Sequence, residues 1–152
     1  MPTPSNQEHA RKSLRLFLND TAELNRLIRQ EESDDPHLDL ALALAVDDYN
    51  VTSPPITRVT IDSYPSLWLL MHGAAIEILK MAGLLQSRNE LNYSSGGVTV
   101  RTFDKTEHYQ RWISMFLQEY ERKKLNYKIA ANVAAGMGGG VNSEYNTISW
   151  YW

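Results

Sequence analysis

The chain contains no cysteine, which excludes a disulfide framework, a thiolate metal site and a Cys–His nucleophile. Neither sign of charge dominates. Fifteen basic against 18 acidic residues leave a net charge of -3, which argues against a general nucleic-acid binder. Long apolar runs are also scarce. Leu67 to Leu85 approaches the length of a membrane span, but His72, Glu77 and Lys80 interrupt it and it reads as a buried helix. Met1 to Gln7 is polar and no apolar h-region follows, the pattern expected of a soluble protein made in the cytoplasm. The 152 residues suffice for one domain with a real core.

The sign of the charge shifts along the chain. Residues 1 to 75 carry eleven acids against six bases, and residues 76 to 152 carry seven against nine. Acidic and basic faces on one small domain suit head-to-tail packing. The rest is patterned mainly for helices, four or five of them. Ala10 to Leu18 is amphipathic through Leu14, Phe17 and Leu18. Asn19 or Asp20, with Glu23 at the capping-box position, predicts a short second helix whose face is Leu24, Leu27 and Ile28. After the acidic turn Glu31 to Asp35, Asp35-Pro36 predicts the start of a third helix, rich in alanine and ending near Tyr49-Asn50.

Ser53-Pro54-Pro55 breaks the chain, and the alternation over Ile56 to Ile61 reads as a short strand or an extended crossing. Ser66 to about Arg88 predicts a fourth helix, apolar on nearly all sides and therefore central to the core. Ser94-Ser95-Gly96-Gly97 is turn chemistry between Asn92 and the β-branched run Val98 to Phe103, which predicts a protruding hairpin or loop over 92–103. Asp104 with Glu107 caps the longest helix, expected to reach Val133 or Ala134, roughly 45 Å in length. Tyr109, Trp112, Ile113, Phe116, Leu117 and Tyr120 give its first half an aromatic face. Beyond Glu121 only Leu125, Ile129 and Val133 remain among basic residues, a half built for a partner or for solvent.

Gly136, Gly138, Gly139 and Gly140 read as a hinge that separates a helical domain (1–135) from a C-terminal arm (136–152). Val141 to Trp152 could extend roughly 40 Å. Its Tyr145, Ile148, Trp150, Tyr151 and Trp152 are costly to leave in water, so the arm is expected to dock, either on its own core or on a neighbouring chain. We favour the neighbour.

Other chemistry finds little support. Neither glycine-rich stretch carries the phosphate-loop lysine, and the second follows a helix instead of opening one. His9, His37, His72 and His108 fall on four different elements, with no paired metal-ligand spacing. Asp34-Asp35 and Asp47-Asp48 sit at helix ends, where capping or solvation accounts for them. Arg122-Lys123-Lys124 with Lys128 could touch phosphates, but Glu119 and Glu121 among them favour a solvated or salt-bridged face. No G-x-S-x-G elbow occurs. No catalytic residue, cofactor or metal is expected.

The order of elements carries a resemblance. L-R-x-F-L-N-D-T-x-E-L-N-x-L-I (Leu14 to Ile28), the E-E-S-D-D turn and the alanine-rich helix before Pro54-Pro55 come first. A-A-I-E-I-L (Ala74 to Leu79), N-Y-S-S-G-G-V-T-V (Asn92 to Val100) and Y-E-R-K-x-x-N-Y-K-x-A (Tyr120 to Ala130) follow. Together they resemble the head-to-tail connector, or adaptor, proteins of tailed bacteriophages. That resemblance implies a mainly α-helical bundle in the virion neck, at the head–tail junction. It implies a homo-oligomeric ring, commonly a dodecamer, beneath the portal protein. Such a ring extends the channel through which DNA passes and docks the tail or a stopper, without contact to a membrane. The C-terminal arm stands where such proteins reach toward the portal. A stopper or tail terminator is the alternative within virions, expected to be richer in strand. A DNA-packaging or regulatory DNA-binding protein is the alternative outside that class, and would need a basic recognition helix.

Overall fold

A computed structural model describes residues 6–25, 29–54, 58–88, 92–95, 98–101 and 105–136. It is mainly helical. Four helices occur among the described residues: α1 (Asn6–Leu18), α2 (Asp35–Val51), α3 (Leu67–Arg88) and α4 (Thr106–Gly136). Two short strands, β1 (Asn92–Ser95) and β2 (Val98–Arg101), pair antiparallel between α3 and α4, with Asn92 opposite Arg101 and Ser95 opposite Val98. Ser94 and Ser95 thus belong to a strand where turn positions were expected, and Gly96 and Gly97 lie outside the described residues.

The apolar circumference of α3 has the consequence expected of it. Every residue from Leu69 to Ile76 is buried, because α1, α2 and α4 surround that stretch. By length and composition α3 could also cross a membrane, yet its middle is the core of the bundle. One side of it packs with Ala10 and Leu14 of α1 and with Leu38, Ala41, Leu42 and Ala45 of α2. The other side packs through Leu69 and Ile76 with Tyr49 of α2 and Tyr120 of α4.

Several local expectations are corrected by where hydrogen bonds go. Among the described residues Asn19 and Asp20 open no second helix; they close α1. Asn19 is left-handed (φ 55°), its N–H donates to Leu16, and the Asp20 N–H donates to Arg15, a Schellman closure. The Asp20 carboxylate is buried and accepts from the backbone N–H groups of Glu32 (2.6 Å) and Ser33 (2.8 Å) and from Asn25 Nδ2 (2.8 Å). Burial alone would raise its pKa, but those donors together hold the carboxyl below its ordinary value. Residues 19–25 form turns, while Leu27 and Ile28 lie outside the described residues.

Asp34 occupies the N-cap of α2 without a side-chain cap bond. Asp35 instead accepts from Arg11 (2.6 Å) and Arg15 (2.7 Å), and Arg11 also grips Asp39 with two bonds of 2.9 and 2.7 Å. Part of the acidic excess in the first half is thereby neutralised between α1 and α2. The alternation at Ile56 to Ile61 does not make a strand among the described residues. Residues 58–60 are irregular, and the Asn50 side chain stands in for a strand partner by donating to the Val59 carbonyl (3.0 Å) and accepting its N–H (2.8 Å). Helix α3 starts within a residue of the expected Ser66, whose Oγ lies 3.5 Å from the Leu69 N–H. Asp104, expected to cap α4, lies outside the described residues.

Two glycines of α3 separate packing from propensity. A Cβ on Gly73 would stand 3.0 Å from the Ala45 Cβ and 3.1 Å from the Tyr120 ring, so helix α3 meets both neighbours there without a side chain between them. A Cβ on Gly83 would find ordinary contact, 3.9 Å from Tyr109. Gly73→Ala should therefore destabilise the fold by about 1–3 kcal/mol through overpacking. Gly83→Ala should stabilise it by about 0.5–1 kcal/mol through helix propensity. Urea denaturation of the two variants checks this, and equal signs would overturn the packing account.

Candidate interaction surface

Helix α4 is 31 residues, about 46 Å, and its two halves pack differently. In the first half Ile113 and Phe116 lie against the core cluster around Leu69 and Tyr120. Rings link three helices here. Phe17 of α1 stands 5.0 Å from His72, which stacks on Trp68 at 3.6 Å and meets the Phe116 edge at 5.4 Å; Trp112 reaches Phe116 at 5.8 Å. The His72 Nδ1–H donates to the Trp68 carbonyl (2.9 Å), which fixes the ring in the stack. Lys123 Nζ lies 3.4 Å over Trp68 and 3.0 Å from Glu119. His72 is thus a packed core residue, while His9, His37 and His108 are exposed on α1, α2 and α4.

In the second half the side that faces the bundle is polar. The buried residues of α4 are Tyr120, Lys124 and Lys128, with the two lysines only 3% and 2% exposed. The basic run is therefore not a simple solvated face. Asp48 of α2, expected to be explained by its place at a helix end, is the acceptor for this stripe. Its Oδ2 takes the Tyr120 hydroxyl at 2.7 Å and Lys124 Nζ at 2.8 Å. Lys124 also donates to Glu121 (2.8 Å), and Lys128 Nζ sits 4.3 Å over the Tyr49 ring. Burial pushes the Lys128 amine below its ordinary pKa, and it pushes the Tyr120 and Tyr64 hydroxyls well above theirs.

The apolar residues of this half point the other way. Leu125, Ile129 and Val133, spaced by four, are each about half exposed. The sequence expectation of a partner-facing or solvent-facing half thus holds for these residues and fails for the lysines. Gly136 is the last residue of α4, so it belongs to the helix and not to the expected hinge. Gly138, Gly139 and Gly140 lie outside the described residues, as do Tyr145, Ile148, Trp150, Tyr151 and Trp152. Among the described residues, no three His, Asp or Glu side chains come together as a metal site. An open groove of about 570 Å³ runs between the start of α1, α2 and residues 59–62, lined by Ala43, Val46, Asp47, Ile61 and Asp62 among others.

Comparison with known protein families, curated proteins and solved structures yields no match.

The two halves of α4 generate separate expectations. Asp48→Ala would leave Lys124 inside the bundle with the exposed Glu121 as its remaining carboxylate and the Tyr120 ring beside it, and should destabilise by about 2 kcal/mol or more. Lys124→Met leaves Asp48, itself partly exposed, still bonded to Tyr120, and should cost about 1 kcal/mol or less. Chemical denaturation of both decides, and equal losses would sink the asymmetry.

For His72, burial holds the folded pKa below the ordinary 6.5, an effect that Lys123 reinforces and Glu119 and the Trp68 carbonyl oppose. Between the folded value and 6.5 the unfolded chain binds more protons, so stability falls as pH drops through that window. The carboxyls of Asp20 and Glu119 titrate lower and act only at more acid pH. Thermal midpoints should decline between pH 7 and 5 in the native chain and stay flatter in His72→Phe. Equal slopes would show that His72 contributes nothing.

Proposed function

We propose that the chain is a structural protein of a tailed-phage virion, a head-to-tail adaptor. It forms a ring beneath the portal, extends the DNA channel and gives the tail or a stopper its docking surface. The carrying observation is the inverted second half of α4, which turns Lys124 and Lys128 inward and Leu125, Ile129 and Val133 outward. That arrangement is expensive for a solitary domain and sensible for one built to be covered. The order of sequence elements that resembles phage connector proteins supplies the identity of the assembly.

In this reading α4 is the long C-terminal helix of the subunit wall, and the paired segments 92–95 and 98–101 form a hairpin that touches a neighbour or lines the channel. The arm after Gly140 grips the portal or an adjacent subunit. No enzymatic activity, metal or cofactor is assigned. Helical dominance weighs against the strand-rich stopper and terminator alternatives. A DNA-binding role for the basic helix is disfavoured because Lys124 and Lys128 are buried and Lys123 is engaged by Trp68 and Glu119.

Locating the chain in assembled particles by electron microscopy tests the proposal. A ring of copies at the neck is the expected result, and one or two copies per particle would overturn it. The same preparation tests the arm. Aromatic anchors contribute about 2 kcal/mol or more each when fully buried at an interface. Deleting Val141 to Trp152 should abolish incorporation into heads while leaving the thermal midpoint of the isolated chain nearly unchanged. Unfolding of the truncated chain would assign those aromatics to its own core.

A further inference from the structure

Two apolar helix faces stand uncovered, each on the side of its helix away from the core. On α2 the buried side is Leu38, Ala41, Leu42, Ala45 and Tyr49. Half a turn round the helix, Leu40, Leu44 and Val51 are exposed, Val51 to 70%, with Asp47 among them. On α4 the uncovered stripe is Leu125, Ile129 and Val133, continued toward the N-terminus by Arg122 and Met115, both exposed. Helix α2 is thus apolar on opposite sides, the pattern of a helix buried on both, and α4 carries its apolar stripe outward over a polar inner side. The two stripes share a spacing of about one turn, and run for about 16 Å from Leu40 to Val51 and about 27 Å from Met115 to Val133.

We propose that these faces are the two halves of one contact between copies of this chain: the outer face of α4 docks along the outer face of α2 in the next copy, with Arg122 set against Asp47. The inference deepens the adaptor reading, and rests on it for ring closure. Charge selects the pairing. Arg111 and Arg122 make the α4 side basic, whereas Asp47, with Asp62 across the adjoining groove, makes the α2 side acidic. An α4–α4 contact would bring two basic faces together and an α2–α2 contact two acidic ones, so both self-paired arrangements are opposed. Different patches of two copies therefore meet. Such a contact propagates from copy to copy and closes into a ring when its rotation permits.

Because the native chain lacks cysteine, introduced thiols report the contact directly. Leu44→Cys and Ile129→Cys chains are mixed at millimolar concentration and treated with a short bis-maleimide. The expected result is a covalent 44–129 heterodimer as the main product, and a ladder of oligomers from the double variant. Adding Arg122→Glu to the Ile129→Cys chain should lower the heterodimer yield about tenfold, and Asp47→Arg in the Leu44→Cys chain should restore it. Dominant 44–44 or 129–129 products, or no cross-link, would overturn the proposal. Absent 44–129 cross-links alongside many copies per particle would refute this interface and leave the adaptor reading standing. Cross-links with only one or two copies per particle would do the reverse.

Discussion

The contact on which the bundle's geometry depends is the one Asp48 makes with α4. Two lysines and a tyrosine of α4 are buried along the seam, and a buried ammonium without a partner is strongly unfavourable. Asp48 supplies that partner, bonding Tyr120 and Lys124 through a single oxygen. Slide α4 by one turn and Lys124 loses its carboxylate while Tyr120 leaves the notch over Gly73. The network thus holds α4 in one register on α2 and α3. Its role is better described as alignment than as net stabilisation, since a well-packed apolar stripe would serve stability at least as well. The partial exposure of Asp48 eases the desolvation that such a pair entails.

How legible this was in the sequence depends on what signal each feature leaves. Helix α3 was plain, because apolar residues around its whole circumference admit only a central position, and Leu69 to Ile76 are all buried. The start of α2 at Asp35-Pro36 and the great length of α4 were equally readable. The second short helix misled because D-x-x-E followed by Leu24, Leu27 and Ile28 in helical phase is a purely local pattern, and the Asp20 side chain is engaged elsewhere. Here the Asp20 carboxylate reaches forward to the N–H groups of Glu32 and Ser33, a long-range use that spacing does not announce. Residues 58–60 alternate like a strand but have a side chain, Asn50, as their partner.

The buried lysines were missed for a different reason. Residue type suggested a solvated or salt-bridged face, and the salt bridges are present, yet phase pointed inward: Ile113, Phe116, Tyr120, Lys124 and Lys128 follow one another at steps of three and four. A stripe that begins aromatic and continues lysine is still one stripe. The long methylene stems of Lys124 and Lys128 fill the seam while their ammonium groups find Asp48, Glu121 or the Tyr49 ring. Weighting position above polarity would have placed both correctly, and with them the importance of Asp48.

The same phase argument fixes what is left outside. Once Tyr120, Lys124 and Lys128 take the inner side of α4, Leu125, Ile129 and Val133 have nowhere to go but outward. Likewise, the α2 residues that meet α3 leave Leu40, Leu44 and Val51 on the far side. Inward polarity and outward apolarity are therefore a single constraint seen from two sides, not two unrelated oddities. A solitary domain could relieve it by exchanging the two stripes of α4, apolar inward and basic outward. The chain does the opposite and accepts a buried charge network in order to keep an apolar surface facing away from itself. On the proposed adaptor reading, a neighbouring copy covers that surface and makes the exchange favourable.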